Sequence, residues 1–141
     1  MSVPDDVPRS PEGPTEPAAR EVMLETGELA IVGRVVDSSN ATYVVEVTQG
    51  DDYAWAIYKP LAGERPLWDF EPGLYKRERA AYLRSEHLGW GLVPPTVIRA
   101  DAPLGAGSLQ WFIDFDPAAH FFTLMRHHPD SHDALRRMAV F

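Results

Sequence analysis

Ala54-Trp55-Ala56-Ile57-Tyr58-Lys59-Pro60 is the stretch on which the fold turns. Its aromatic and β-branched residues suit a pleated strand, and Pro60 marks where the ladder should end. With a period of two, Tyr53, Trp55, Ile57 and Lys59 share one face, and Ala54, Ala56 and Tyr58 the other. A lysine therefore shares a face with large apolar groups, where its ammonium must snorkel to water or meet an anion. Glu78, 19 residues later, has the mirror problem. A helix is predicted over residues 74–88, with Leu74, Ala81, Tyr82, Ser85 and Leu88 as its inward stripe and Tyr75 at the edge. Glu78 falls near the middle of that stripe, and Gly89 supplies a stop. Helix packed on strand, each charge answers the other. The same pattern also admits a surface lysine and an exposed glutamate at a helix edge.

Working outward, residues 29–32 and 35–36 are apolar around Gly33-Arg34, and residues 43–48 are strongly β-branched. The turn-rich segment 37–42 between them predicts a hairpin. Gln49-Gly50-Asp51-Asp52 makes the next turn and leads into the third strand. Residues 60–73, with three prolines and two glycines, read as an irregular loop. Beyond the helix, two more strands are expected at 96–99 and 108–115, joined by a Gly/Pro turn. Residues 117–130 read as irregular or weakly helical, and Ser131 is placed to cap a last helix running to Phe141. The expected class is α+β: an antiparallel sheet of about five strands with one packed helix, plus a short C-terminal helix.

The chain has 141 residues, of which 45% are hydrophobic and 11% aromatic, enough for one modest core. It has no cysteine, so disulfides, thiolate ligands and thiol nucleophiles are excluded. No apolar run approaches the ~20 residues of a membrane span, and the N-terminus lacks the features of a signal peptide. A cytoplasmic protein without a membrane segment is expected. A net charge of −8 argues against a sequence-independent nucleic-acid binder. Residues 1–21 hold prolines at 4, 8, 11, 14 and 17 and almost no large apolar side chains. Such a stretch cannot bury enough surface to offset its ordering entropy, so it is expected to be a disordered acidic tail. The ordered unit is expected over 22–116, followed by a distal segment over 117–141.

Beyond the isolated pair, Ala56-Ile57-Tyr58-Lys59-Pro60, then Glu78-Arg79-Ala80-Ala81-Tyr82-Leu83, then Leu92-Val93-Pro94-Pro95-Thr96 occur in a telling order. Together they resemble the N-lobe of phosphatidylinositol 3-/4-kinase-related proteins, the type II phosphatidylinositol 4-kinases above all. Residues 63–70 (GERPLWDF) and 89–96 (GWGLVPPT) further resemble an uncharacterised actinobacterial family of that relationship. The resemblance spans roughly residues 29–141. It implies a protein-kinase-like N-lobe that binds ATP. Lys59 would contact the α/β-phosphates, Glu78 would orient it, and Ile57 would lie against the adenine. Ser38, Ser39 and Asn40 sit where a phosphate-covering hairpin loop belongs, with hydroxyl, amide and backbone donors. Residues 110–116 take the place of the inter-lobe hinge. The chain departs from protein kinases in having no G-x-G-x-x-G in the hairpin, only Gly33.

Phosphoryl transfer also needs an acceptor-positioning residue and ligands for Mg²⁺, which kinase folds draw from their second lobe. Asp114, Asp116, Asp130 and Asp133 sit in no recognisable catalytic motif. The expectation is thus a nucleotide-holding fragment that is not catalytically competent alone, with Mg supplied by a C-lobe absent from this chain. The alternative is a non-catalytic protein-interaction module that uses the exposed lobe face for a protein partner or for self-association. His127, His128 and His132 have loose metal-ligand spacing, but Pro129 interrupts the helix that would align them.

Overall fold

A computed structural model of the chain describes residues 13–35, 41–63, 75–113, 126–127 and 129–140. Helix α1 (Pro17–Thr26) leads into strand β1 (Glu28–Arg34), followed by β2 (Tyr43–Gln49) and β3 (Asp52–Pro60). Helix α2 (Tyr75–His87) comes next, then β4 (Thr96–Arg99), β5 (Gly107–Trp111) and helix α3 (His132–Val140). The strands form one antiparallel five-stranded sheet in the order β1-β2-β3-β5-β4. The class is α+β, as the residue pattern implied.

Register follows from the turns. Gln49 opposite Asp52 leaves Gly50-Asp51 as a two-residue hairpin loop. At the far end Val35 N–H donates to Thr42 O, closing the β1–β2 connection just past the ladder. Tyr43 stands opposite Tyr58, so that connection emerges at the same end of the sheet as Lys59.

α2 ends where a residue with positive φ is available. Gly89 has φ of +68°. Its N–H reaches Glu86 O while Trp90 N–H reaches Ser85 O, a Schellman pair of bonds that satisfies the last carbonyls. Tyr75, Tyr82 and Ser85 are the buried residues of this helix. Leu88, expected in the inward stripe, instead lies just past the helix end and is exposed.

Each face of the sheet carries its own apolar cluster. Met23 and Leu24 of α1 pack with Val45, Val47, Ala54, Ala56, Tyr58, Val97, Leu109 and Trp111 on one face. Val35, Val44, Trp55 and Ile57, with Phe112 against them, form the second cluster on the other. Residues 54–58 are buried without interruption because the middle of β3 is covered on both sides.

Two expectations need correction. The tail assigned to 1–21 overlaps α1, which begins at Pro17 and carries Glu21. Among the described residues, α1 as well as α2 therefore touches the sheet, where one packed helix was expected. The physical reason is a two-residue apolar anchor, Met23-Leu24, just beyond the acidic proline-rich stretch; it pulls one further turn into order. Residues 1–12 lie outside the described residues. The last strand, expected over 108–115, ends at Trp111, and positions 114–116 of the expected hinge lie outside the described residues.

Candidate functional site

Lys59 stands one residue before the end of β3, directly opposite Ser108 of β5. Cross-strand partners project from the same face, so the ammonium and the hydroxyl are neighbours. Glu78, in the first turn of α2, reaches both. Lys59 Nζ donates to Glu78 Oε1 at 2.7 Å, and Ser108 Oγ donates to Glu78 Oε2 at 2.9 Å. Each carboxylate oxygen thus has its own donor, which fixes the plane of the carboxylate as well as its position.

The pair sits at the boundary of the protein. Side-chain exposures are 31% for Lys59 and 30% for Glu78, whereas Ser108 is fully buried. At such exposure the ion pair contributes at most about 1 kcal/mol to stability. An ammonium has three N–H donors. Among the described residues, Glu78 is the acceptor it meets. The two strands approach closely at this point. A Cβ on Gly107 would come within 2.4 Å of Lys59 O, so no other residue fits without parting β3 from β5.

The other candidates fall as follows. Ile57 lies on the same face as Lys59, buried among Val35, Val44 and Trp55. Ser38, Ser39 and Asn40 lie outside the described residues. The flanks of their connection, Val35 and Thr42, are buried and hydrogen-bonded at Lys59's end of the sheet. Among the described residues, no group of three or more His, Asp or Glu side chains is arranged to hold a metal ion. No helix among them is long and apolar enough to cross a membrane.

Two participants escaped the residue pattern. Ser108 was placed only as the first residue of a strand; the β3–β5 register, a long-range pairing, makes it a partner of Glu78. Glu21, assigned to the tail, accepts from Tyr82 Oη at 2.5 Å and from Arg79 Nη1 at 3.3 Å. Its spacing to α2 offered no local signal. Burial, with the Glu21 carboxylate facing its hydroxyl, pushes Tyr82 above the ordinary phenol range.

No family model matches the chain, and no solved structure matches it. Protein Rv2133c of Mycobacterium tuberculosis (strain ATCC 25618 / H37Rv) is 51% identical over 92 residues, which is 64% of this chain and 33% of that protein. The chain is thus similar to about a third of the length of that relative.

Proposed function

We propose that Lys59 and Glu78 hold the phosphates of ATP in a phosphatidylinositol 3-/4-kinase-like N-lobe. The observation that carries this is the geometry of the ammonium: anchored by a carboxylate at 2.7 Å and about a third exposed at the end of its strand. Kinase sites place a lysine on the third strand and pair it with a glutamate on the helix that follows; the lysine then meets the nucleotide phosphates. Here Lys59 is on the third strand and Glu78 on the next α-helix.

In this reading Glu78 aims the ammonium and Ser108 holds Glu78. The apolar cluster around Ile57 forms the floor for the purine. Ser38, Ser39 and Asn40 are assigned as further phosphate donors by their place in the chain. Phosphoryl transfer is assigned to none of these residues. The site binds and orients, and Mg²⁺ and the phosphoacceptor require ligands from elsewhere.

Calorimetric titration with Mg-ATP tests the proposal. Lys59→Ala should weaken binding about tenfold or more, the loss expected of one charge-assisted contact, while the fold is kept and stability falls by less than about 1 kcal/mol. Equal affinity in wild type and variant would overturn it. If the wild type binds no nucleotide but forms a stable complex by light scattering, the protein-interaction module takes its place.

A further inference from the structure

We infer that Glu21 of α1 is a positioning residue for the Lys59–Glu78 pair, acting through α2. This rests on the nucleotide-site reading for its functional meaning, but its structural basis is independent. α2 is held to the sheet with few apolar anchors: of its 13 residues, only Tyr75, Tyr82 and Ser85 are buried. Polar contacts must therefore set where it sits. On one side, Glu78 is tied to β3 and β5 through Lys59 and Ser108. On the other, the very next residue, Arg79, donates through the same Nη1 to Glu21 Oε2 and, at 2.6 Å, to Thr96 O at the start of β4. Tyr82, one turn beyond Glu78, donates its hydroxyl to the other oxygen of Glu21. One carboxylate of α1 thus grips α2 at two points, Arg79 and Tyr82, within the turn that follows Glu78.

α1 is itself a fixed platform. Met23 and Leu24 are buried in the first core cluster. Arg99 of β4 reaches across to the C-terminal end of the helix, donating to Leu24 O at 3.2 Å and Gly27 O at 2.6 Å. A cation there is favoured by the unpaired carbonyls and by the helix dipole. The guanidinium is held in turn by Asp101 through Nε and Nη2. Glu21 consequently transmits the position of a rigid helix to one that depends on polar contacts. Losing its charge should let α2 move and should loosen Glu78 from Lys59.

The chain has only two lysines, Lys59 and Lys76, which makes the state of the pair directly measurable. The full chain is labelled with an amine-reactive reagent, and the two sites are resolved by mass spectrometry, exposed Lys76 serving as internal reference. Glu21→Gln, which keeps the shape and removes the charge, should raise the Lys59-to-Lys76 labelling ratio roughly two- to tenfold, within the range seen for substitutions along a coupled network. Tyr82→Phe, which removes one of the two grips, should move the ratio in the same direction by less. Thermal unfolding of each variant confirms that Met23 and Leu24 still hold α1. An unchanged ratio in a folded Glu21→Gln protein would overturn the inference.

The same variants titrated with Mg-ATP separate the two claims. If the wild type does not bind but the labelling ratio responds, the nucleotide reading fails and the positioning role stands. If the wild type binds through Lys59 and Glu21→Gln alters neither ratio nor affinity, the positioning role fails alone.

Discussion

On one face of the sheet Leu24 of α1 and Val47, Tyr58 and Leu109 of the strands are fully buried together; on the other, beside Ile57, Lys59 and Glu78 each keep about a third of their side-chain surface exposed. The first face is closed by apolar matter. Even its polar atoms are absorbed: Tyr58 Oη donates to Gly105 O and accepts from Leu104 N–H, pinning the β4–β5 turn. The second face is apolar only as far as Ile57 and then gives way to charge. A lysine at that boundary adds little to stability, because its partner carboxylate is wet and screened. The buried apolar side chains lie on one face, and the proposed anion contact on the other.

The largest expected effect tests the closed face. Leu24→Ala removes a fully buried side chain between helix and sheet and should cost about 2–5 kcal/mol by denaturant titration. A cost as small as that of Lys59→Ala, expected below about 1 kcal/mol, would erase the contrast between the faces. Ser108→Ala falls between them. It removes a buried donor from a carboxylate that water can partly resolvate, so a loss of about 1 kcal/mol is expected. Mg-ATP affinity should fall several-fold at the same time. An affinity untouched by Ser108→Ala would show that Glu78 needs only Lys59 to hold its place.

The smallest effect is in pH. Burial raises the pKa of both Tyr58 and Tyr82, on the closed side and at the α1–α2 contact. The folded state then holds these protons more tightly than the unfolded state does. Their contribution is complete below the unfolded phenol value of about 10 and is lost as pH rises through the folded values. Chemical denaturation between pH 9 and pH 11 (on the order of the phenol range) should show stability falling with pH, less steeply in Tyr82→Phe. A flat profile would mean that neither hydroxyl is as enclosed as its burial indicates.

The Lys59–Glu78 juxtaposition was legible because each residue violated the pattern of its own element: a cation on an apolar strand face, an anion in an apolar helical stripe. Such violations are local and need no knowledge of the fold. The strands around them were legible for the same reason, since β-branched runs and turn residues lie within a few positions of one another. β5 ends at Trp111, and the bonds from Trp111 N–H to Pro95 O and from Phe112 N–H to Trp55 O carry its pairing just past the ladder.

What the residue order determined by itself is the α+β class, the β1–β2–β3 meander and the presence of two charges needing partners. Periodicity specifies which side of an element is apolar, and that is a property of neighbours in the chain. Only the tertiary structure decided that Ser108 is the second partner of Glu78 and that Glu21 belongs to α2's support rather than to a tail. Those contacts join residues 30, 58 and 61 positions apart. They exist only because strand register and helix docking bring distant backbone together, and no pattern within a single element encodes that.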